Sequence, residues 1–254
     1  MITSELAVAG PGVVGATGGS GTRAVARILR QGGLFIGSRL NDSEDAVDLG
    51  EYSDVWINAF VSFRTRGVPD QLAKVMRVHL RAILSTHCTG ALPEQKWGWK
   101  EPRSIFLLPF LHEALPTLRF LHVVRDGRDM ALSENQNQLR KHGGAYLGRP
   151  TDARSPLDSI ELWARLNLET ARYGAERLED RYLRIRYEDL CSDPVSTASD
   201  VFGFFGLDGD PEVAAREVRR WGASGRWTAQ DPAAIAQLEQ RAGEALREFG
   251  YITG

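Results

Sequence analysis

Residues 13–29, VVGATGGSGTRAVARIL, constrain the fold more than any other stretch of this chain. An apolar run over residues 6–16 has strand character, glycines at 15, 18, 19 and 21 interrupt it, and Thr22 to Arg30 continues with helical spacing. A strand that passes through a glycine-rich turn into a helix opens a doubly wound α/β fold. Gly18, Gly19 and Gly21 let the backbone turn tightly and aim amide hydrogens at one point, while Ser20 and Thr22 add hydroxyl donors. The loop therefore reads as an anion cradle at a helix N-terminus. It lacks the Gly-Lys-Ser/Thr ending of a nucleoside-triphosphate loop, and its spacing does not fit the dinucleotide fingerprint.

The rest of the chain repeats the alternation. Residues 70–85 and 105–115 carry apolar positions at helical spacing, Pro116 stops the second of these, and FLHVV at 120–124 is a compact buried strand. Helical pattern returns at 158–178, YLRIRY at 182–187 reads as a strand, and Pro194 opens a helix that Gly206 ends. An amphipathic helix follows from Pro232 to Phe249. Acidic residues 42–54 read as a surface loop or polar helix, and residues 135–156, polar and without periodicity, read as a long functional loop. At 254 residues we expect a single domain, 1–254, with a mostly parallel sheet flanked by helices on both faces.

Composition excludes several classes of function. A formal net charge of -2 is a poor match for a nucleic-acid binder, which needs a basic footprint, so the arginine clusters serve something smaller. No apolar run approaches the roughly 20 residues of a transmembrane helix, and the start MITSELAVAGPG has no secretory pattern; a cytoplasmic location is the expectation. Cys88 and Cys191 stand far apart and read as small core hydrophobes, and no His or Cys spacing calls for a metal. Lysine occurs only at 74, 96, 100 and 141, so a lysine in a motif stands out.

Two further segments turn an anion cradle into a site with two phosphate positions. In FLHVVRDGRDMALSENQ, Arg125 follows a buried strand and Ser133 lies eight residues later, about two helical turns on, where both can reach one phosphate. GASGRWT at 222–228 places an Arg-Trp pair beside glycine. At this point the chain resembles the PAPS-dependent sulfotransferases, the users of 3′-phosphoadenosine-5′-phosphosulfate, and more closely the glycan and tyrosine type, read here as a bacterial member. The resemblance runs on through RYEDLCSDP at 186–194, FFGL at 204–207, SGRW at 224–227 and FGY at 249–251.

That resemblance implies roles. Gly18, Gly19, Ser20, Gly21, Thr22 and Arg23 would surround the 5′-phosphosulfate, and Arg125 and Ser133 would hold the 3′-phosphate. Gly225, Arg226 and Trp227 would close over the same phosphate, and Tyr187 would face the adenine. Many members carry Lys or Arg where Gly19 stands here, so the charge on the leaving oxygen has to come from elsewhere: Lys100 in WGWKEPRS leads, with Arg23 and Arg103 as alternatives. For the base, Asp42 sits where tyrosine and glycan members carry a carboxylate, Glu44 and Asp45 compete, and His87 is the one histidine in matching territory. The implied reaction is in-line sulfuryl transfer from PAPS to a hydroxyl, less readily an amine, leaving PAP and needing no metal. Segments 34–95 and 135–158 would shape the pocket of a small-molecule, lipid or carbohydrate acceptor, with Trp97, Trp99 and Tyr146 as stacking candidates. An ATP-dependent phosphotransferase with an atypical loop, or a catalytically silent PAP-binding module, are the rival readings. Oligomeric state is not legible.

Overall fold

The computed structural model describes residues 10–92, 94–218 and 225–253. Its strands are β1 (Gly12–Ala16), β2 (Gly98–Lys100), β3 (Arg119–Val124) and β4 (Tyr182–Arg186). Between and after them come α1 (Thr22–Gln31), α2 (Val47–Phe63), α3 (Asp70–His87), α4 (Leu108–Ala114), α5 (Gly127–Ala131), α6 (Gly144–Leu147) and α7 (Pro156–Tyr173). The chain continues through α8 (Tyr187–Ser192), α9 (Pro194–Phe205), α10 (Pro211–Val218) and α11 (Pro232–Glu248).

The four strands form one parallel sheet in the order β2-β1-β3-β4, with Val13 opposite Trp99 and Phe120, and Val123 opposite Ile185. Strand alternation sends neighbouring side chains to opposite faces. Val13 and Phe120 join Trp99 in a core with α2, α3 and α4, whereas Val14, Ala16, Leu121 and Val123 pack on the other face against α1, α9 and α10. A third cluster under α5, α7 and α11 holds Val124, Met130, Trp163, Leu246 and Phe249. The sheet is thus covered on both faces, as an all-parallel sheet has to be.

Topology places the site. β1 is central, its crossover to β2 leaves on one side and β3 pairs on the other, so the crevice at the carboxyl end of β1 is the switch point where open α/β sheets bind ligands. Every strand ends there: β1 runs into the glycine loop, β2 ends on Lys100, β3 is followed by Arg125 and β4 by Tyr187.

Three expectations change, and one strand went unread. The acidic segment is not all surface: from Val47 it is α2, whose Asp48, Leu49 and Tyr52 are buried, because an apolar stripe is threaded among the acids. Residues 135–156 are not one structureless loop; a π-turn over Leu139–Gly143 and then α6 bury Leu139, His142 and Tyr146 against the α2 side of the core. β2, three residues long, was too short to carry a periodic signal. The two cysteines are not joined in a disulfide and are half-buried rather than fully in the core, Cys88 packing at the edge of the α2–α3 cluster. The expected strand over 6–16 lies outside the described residues up to Ala9 and is observed from Gly12. Among the described residues, no helix is long and apolar enough to cross a membrane.

Candidate active site

The carboxyl ends of the strands open into a cleft of about 800 Å³, lined on one side by Gly18, Gly19, Gly21, Thr22, Arg23, Arg125 and Tyr187. The loop takes its shape from its own hydroxyls. Ser20, fully buried, donates from Oγ to the Thr17 carbonyl at 2.7 Å, and its backbone N–H bonds the same carbonyl at 3.3 Å. Gly19 at φ 92° and Gly21 at φ 78° occupy the left-handed region that side chains disfavour. At Gly21 space decides as well: a Cβ there would meet the Tyr187 ring at 2.1 Å.

Arg125 faces the loop. Its guanidinium donates from Nη1 to the Gly19 carbonyl at 3.1 Å, lies 4.8 Å over the Tyr187 ring centroid, and pairs through Nη2 with Asp129 at 3.4 Å. Ser133 also neighbours Gly19, its Oγ 3.9 Å from where a Cβ there would be, but it does not line the cleft. The eight-residue spacing thus leaves both Arg125 and Ser133 beside Gly19, with Arg125 alone of the two facing the cleft. Tyr187 is buried at the start of α8, where burial, with a contribution from Cys191, pushes its hydroxyl up to about 12.

The opposite wall is charged. Lys100 is 1% exposed and donates from Nζ to the Ser43 carbonyl at 2.5 Å and to the Asp45 carboxylate. Burial pulls its ammonium below the ordinary lysine range, against the opposing pull of Asp45. Arg103 bonds Glu101 through Nε at 2.6 Å, the Gly50 carbonyl at 3.1 Å, and Asp54, which also holds Lys141 at 2.8 Å. Arg23 reaches across to Ser43 Oγ at 3.0 Å. Burial raises the Glu101 carboxyl above its usual range even with Arg103 beside it.

The three competing carboxylates separate. Asn41 Oδ1 accepts from the N–H groups of Ser43 and Asp45 at 2.8 and 2.9 Å, which turns the segment so that Asp45 points into the cleft. Glu44, at φ 60°, points away to α1, where it pairs with Arg27 at 2.7 Å and Arg30 at 3.6 Å. Asp42 is exposed, and neither it nor Glu44 lines the cleft. His87 is fully buried behind β2, bonded to the Gly98 carbonyl at 2.8 Å, and stands outside the cleft. Trp97, Trp99 and Tyr146 are core residues.

The C-terminal trio divides too. Residues 222–224 of GASGRWT lie outside the described residues. Gly225 and Trp227 donate their N–H groups to Asp129, Trp227 stacks 3.6 Å under the Arg128 guanidinium, and Arg226 is exposed; none of the three lines the cleft. Sequence reasoning missed Asp129, Gln138, Asp54 and Lys141. Only Asp129 had a local signal, an acid one helical turn beyond Arg125. Gln138 donates to the Ala16 carbonyl at 3.2 Å and closes the loop side of the cleft. Among the described residues, no group of three or more His, Cys, Asp or Glu is placed to hold a metal ion.

A P-loop-like parallel sheet with a glycine cradle at its switch point and an arginine at the end of the next strand defines a class of phosphate-binding α/β proteins. Within that class, the sulfotransferase family model matches residues 14–211, and the chain belongs to that family. It is 30% identical to carbohydrate sulfotransferase 5 of Mus musculus over 116 residues, which are 42% of this chain and 29% of that protein. It is 31% identical to carbohydrate sulfotransferase 3 of Tetronarce californica over 115 residues, 42% of this chain and 26% of that one. The matched stretches thus span less than a third of either relative. Among solved structures, a sulfotransferase of Mycobacterium tuberculosis H37Rv superposes with a TM-score of 0.57 at 15% identity, covering 94% of this chain and 78% of the other. The sulfotransferase domain of the Synechococcus PCC 7002 olefin synthase gives 0.54 at 17% identity, with 96% and 95% covered. A mouse sulfotransferase complexed with PAP gives 0.52 at 14%, with 94% and 84% covered. At such identities the likeness is one of fold.

Proposed function

We propose that the cleft binds PAPS and that the protein transfers its sulfuryl group to a hydroxyl of a carbohydrate acceptor. The observation that carries this reading is the meeting of the glycine cradle and Arg125 at one end of the cleft, with Lys100 and Asp45 at the other. A mouse neighbour of the same fold was crystallised with PAP, and two relatives are named carbohydrate sulfotransferases. The lining suits both partners. The cradle amides and Arg125 match phosphate oxygens, and the wall of Asn41, Glu51, Asp54, Glu101, Asn135 and Asn137 offers hydrogen-bonding groups to a polyol.

PAPS supplies the sulfuryl group, whose S–O bond to the 5′-phosphate breaks as the acceptor oxygen bonds to sulfur. The chain's own residues divide the remaining work. Gly18, Gly19, Gly21, Thr22 and Arg23 hold the 5′ end, with Ser20 shaping the loop from beneath; Arg125 holds the 3′-phosphate, which Ser133 reaches only if it turns from its place beside Gly19, and the Tyr187 ring offers a flat apolar wall for the base. Lys100 supplies positive charge where the leaving oxygen develops negative charge, the task that Gly19 cannot perform. Asp45, the carboxylate that lines the cleft, takes the acceptor proton in place of Asp42 or Glu44. For both to act, the contact between Lys100 and Asp45 opens as substrates enter. Arg226 and Trp227 assist from outside the cleft, through the turn that Asp129 holds.

Isothermal titration with PAP, adenosine 5′-monophosphate and ATP tests the reading. PAP is expected to bind at least about tenfold tighter than the monophosphate, a difference of about 1.4 kcal/mol. Equal affinities, or a preference for ATP, would remove it.

A further inference from the structure

Asp129 is a buried carboxylate beside a site built for anions, an arrangement that repulsion disfavours unless the carboxylate has another task. Its side chain is 0% exposed. Oδ2 accepts from Arg125 Nη2 at 3.4 Å and from the Gly225 N–H at 2.7 Å, and Oδ1 accepts from the Trp227 N–H at 3.1 Å. These donors come from segments about a hundred residues apart. One carboxylate therefore seats the 3₁₀ turn Arg226–Ala229 with Gly225 at its start, and orients the guanidinium that also touches the Gly19 carbonyl. The neighbouring side chains hold the platform. Arg128 is clamped by Asp126 at 2.7 Å, by Glu239 at 2.6 Å and by the Tyr251 carbonyl at 3.0 Å, and it stacks on Trp227. Trp163 donates to the Arg125 carbonyl at 3.0 Å.

We propose that Asp129 is a positioning residue that couples the Gly225–Ala229 turn to the orientation of Arg125, so that docking of this turn and recognition of the nucleotide 3′-phosphate are one event. The proposal rests on the nucleotide assignment above. Coupling of this kind is reciprocal: whatever fixes Arg125 tightens the turn, and whatever loosens the turn releases Arg125. A carboxylate with a purely structural task would stabilise the fold without distinguishing nucleotides with and without a 3′-phosphate.

The test compares PAP with adenosine 5′-monophosphate in the wild-type protein and in Asp129→Asn, which keeps the shape but removes the charge and one acceptor. The variant is expected to lose roughly tenfold or more in PAP affinity, as for a lost charge-assisted hydrogen bond. Its affinity for the monophosphate is expected to change less than about threefold. If the variant keeps the wild-type preference for PAP, or binds PAP more tightly because a repelling charge is gone, the coupling does not exist. A wild-type protein with no such preference would instead remove the nucleotide assignment and this proposal with it. Hydrogen exchange on the wild-type protein needs no variant to fold: saturating PAP should protect the Gly225 and Trp227 amides more than saturating monophosphate does. Equal protection by the two nucleotides overturns the proposal.

Discussion

The contact between Gly21 and Tyr187 allows a prediction whose size follows from the geometry. Replacing Gly21 by Ala puts a methyl group on a residue at φ 78° and 2.1 Å from Tyr187 Cε2 and 2.2 Å from Cδ2. The backbone part costs about 1–2 kcal/mol, the usual figure for an L-residue in the left-handed region. The steric part adds about 1–3 kcal/mol, because a ring packed under Arg125 cannot simply withdraw. In a Tyr187→Ala background both clashing carbons are gone, and only the backbone part remains. A double-mutant cycle by urea denaturation should therefore give a coupling of about 1–3 kcal/mol, with Gly21→Ala cheaper in the second background. The m-values should stay constant, so that midpoints report stability. Additive costs would mean that the ring does not sit against the loop, and the glycine-loop side of the cleft would need another description.

Lys100→Ala should lower kcat by roughly 10²–10³, the range for losing a group that stabilises developing charge, while PAP titration shows little change; a loss confined to PAP affinity would reassign the lysine to binding. Asp45→Asn should depress turnover by about 10²–10⁴, whereas Asp42→Asn in its exposed position should leave steady-state rates near wild type, and the reverse order would return the base to Asp42. Burial lowers the imidazole pKa of His122, bonded to Tyr182 and Asn167, from 6.5 to about 4. Its folded-state pKa lies below the unfolded one, so its contribution is complete above pH 6.5 and is lost as pH falls through 4, about 3 kcal/mol in all. Denaturation midpoints of His122→Gln should flatten over that window relative to wild type, and an unchanged slope would show that His122 does not titrate there.

What was legible in the sequence was local. The glycine loop and Arg125 are short patterns whose geometry follows from adjacent strand ends, and both face the cleft; Ser133, eight residues on, lies beside Gly19 but outside the cleft lining. The carboxylates at 42, 44 and 45 could not be ranked by spacing, because Asn41 and the left-handed backbone of Glu44 decide which of them faces Lys100. Asp129 looked like an ordinary helix acid, since the amides it binds are far away in sequence. Residues 135–156 hid their structure because Leu139, His142 and Tyr146 are buried through a π-turn, whose spacing matches neither the helical nor the strand period.

A crossover between parallel neighbours needs only a dozen or so residues, yet here the chain travels from Ala16 to Gly98 before β2 takes its place beside β1, making isolated bridges at Phe35 and between Leu40 and Ala46 on the way. Beyond α1 that excursion carries the Asn41–Ala46 turn and the α2–α3 hairpin, while the glycine loop, Arg125 and Tyr187 sit directly on strand ends. The two halves of the cleft therefore answer to different parts of the chain. On the proposed reading, the part of the excursion beyond α1 can be lengthened, swapped or reshaped to suit a new acceptor while the donor grip stays untouched, provided the replacement still delivers a carboxylate to Lys100.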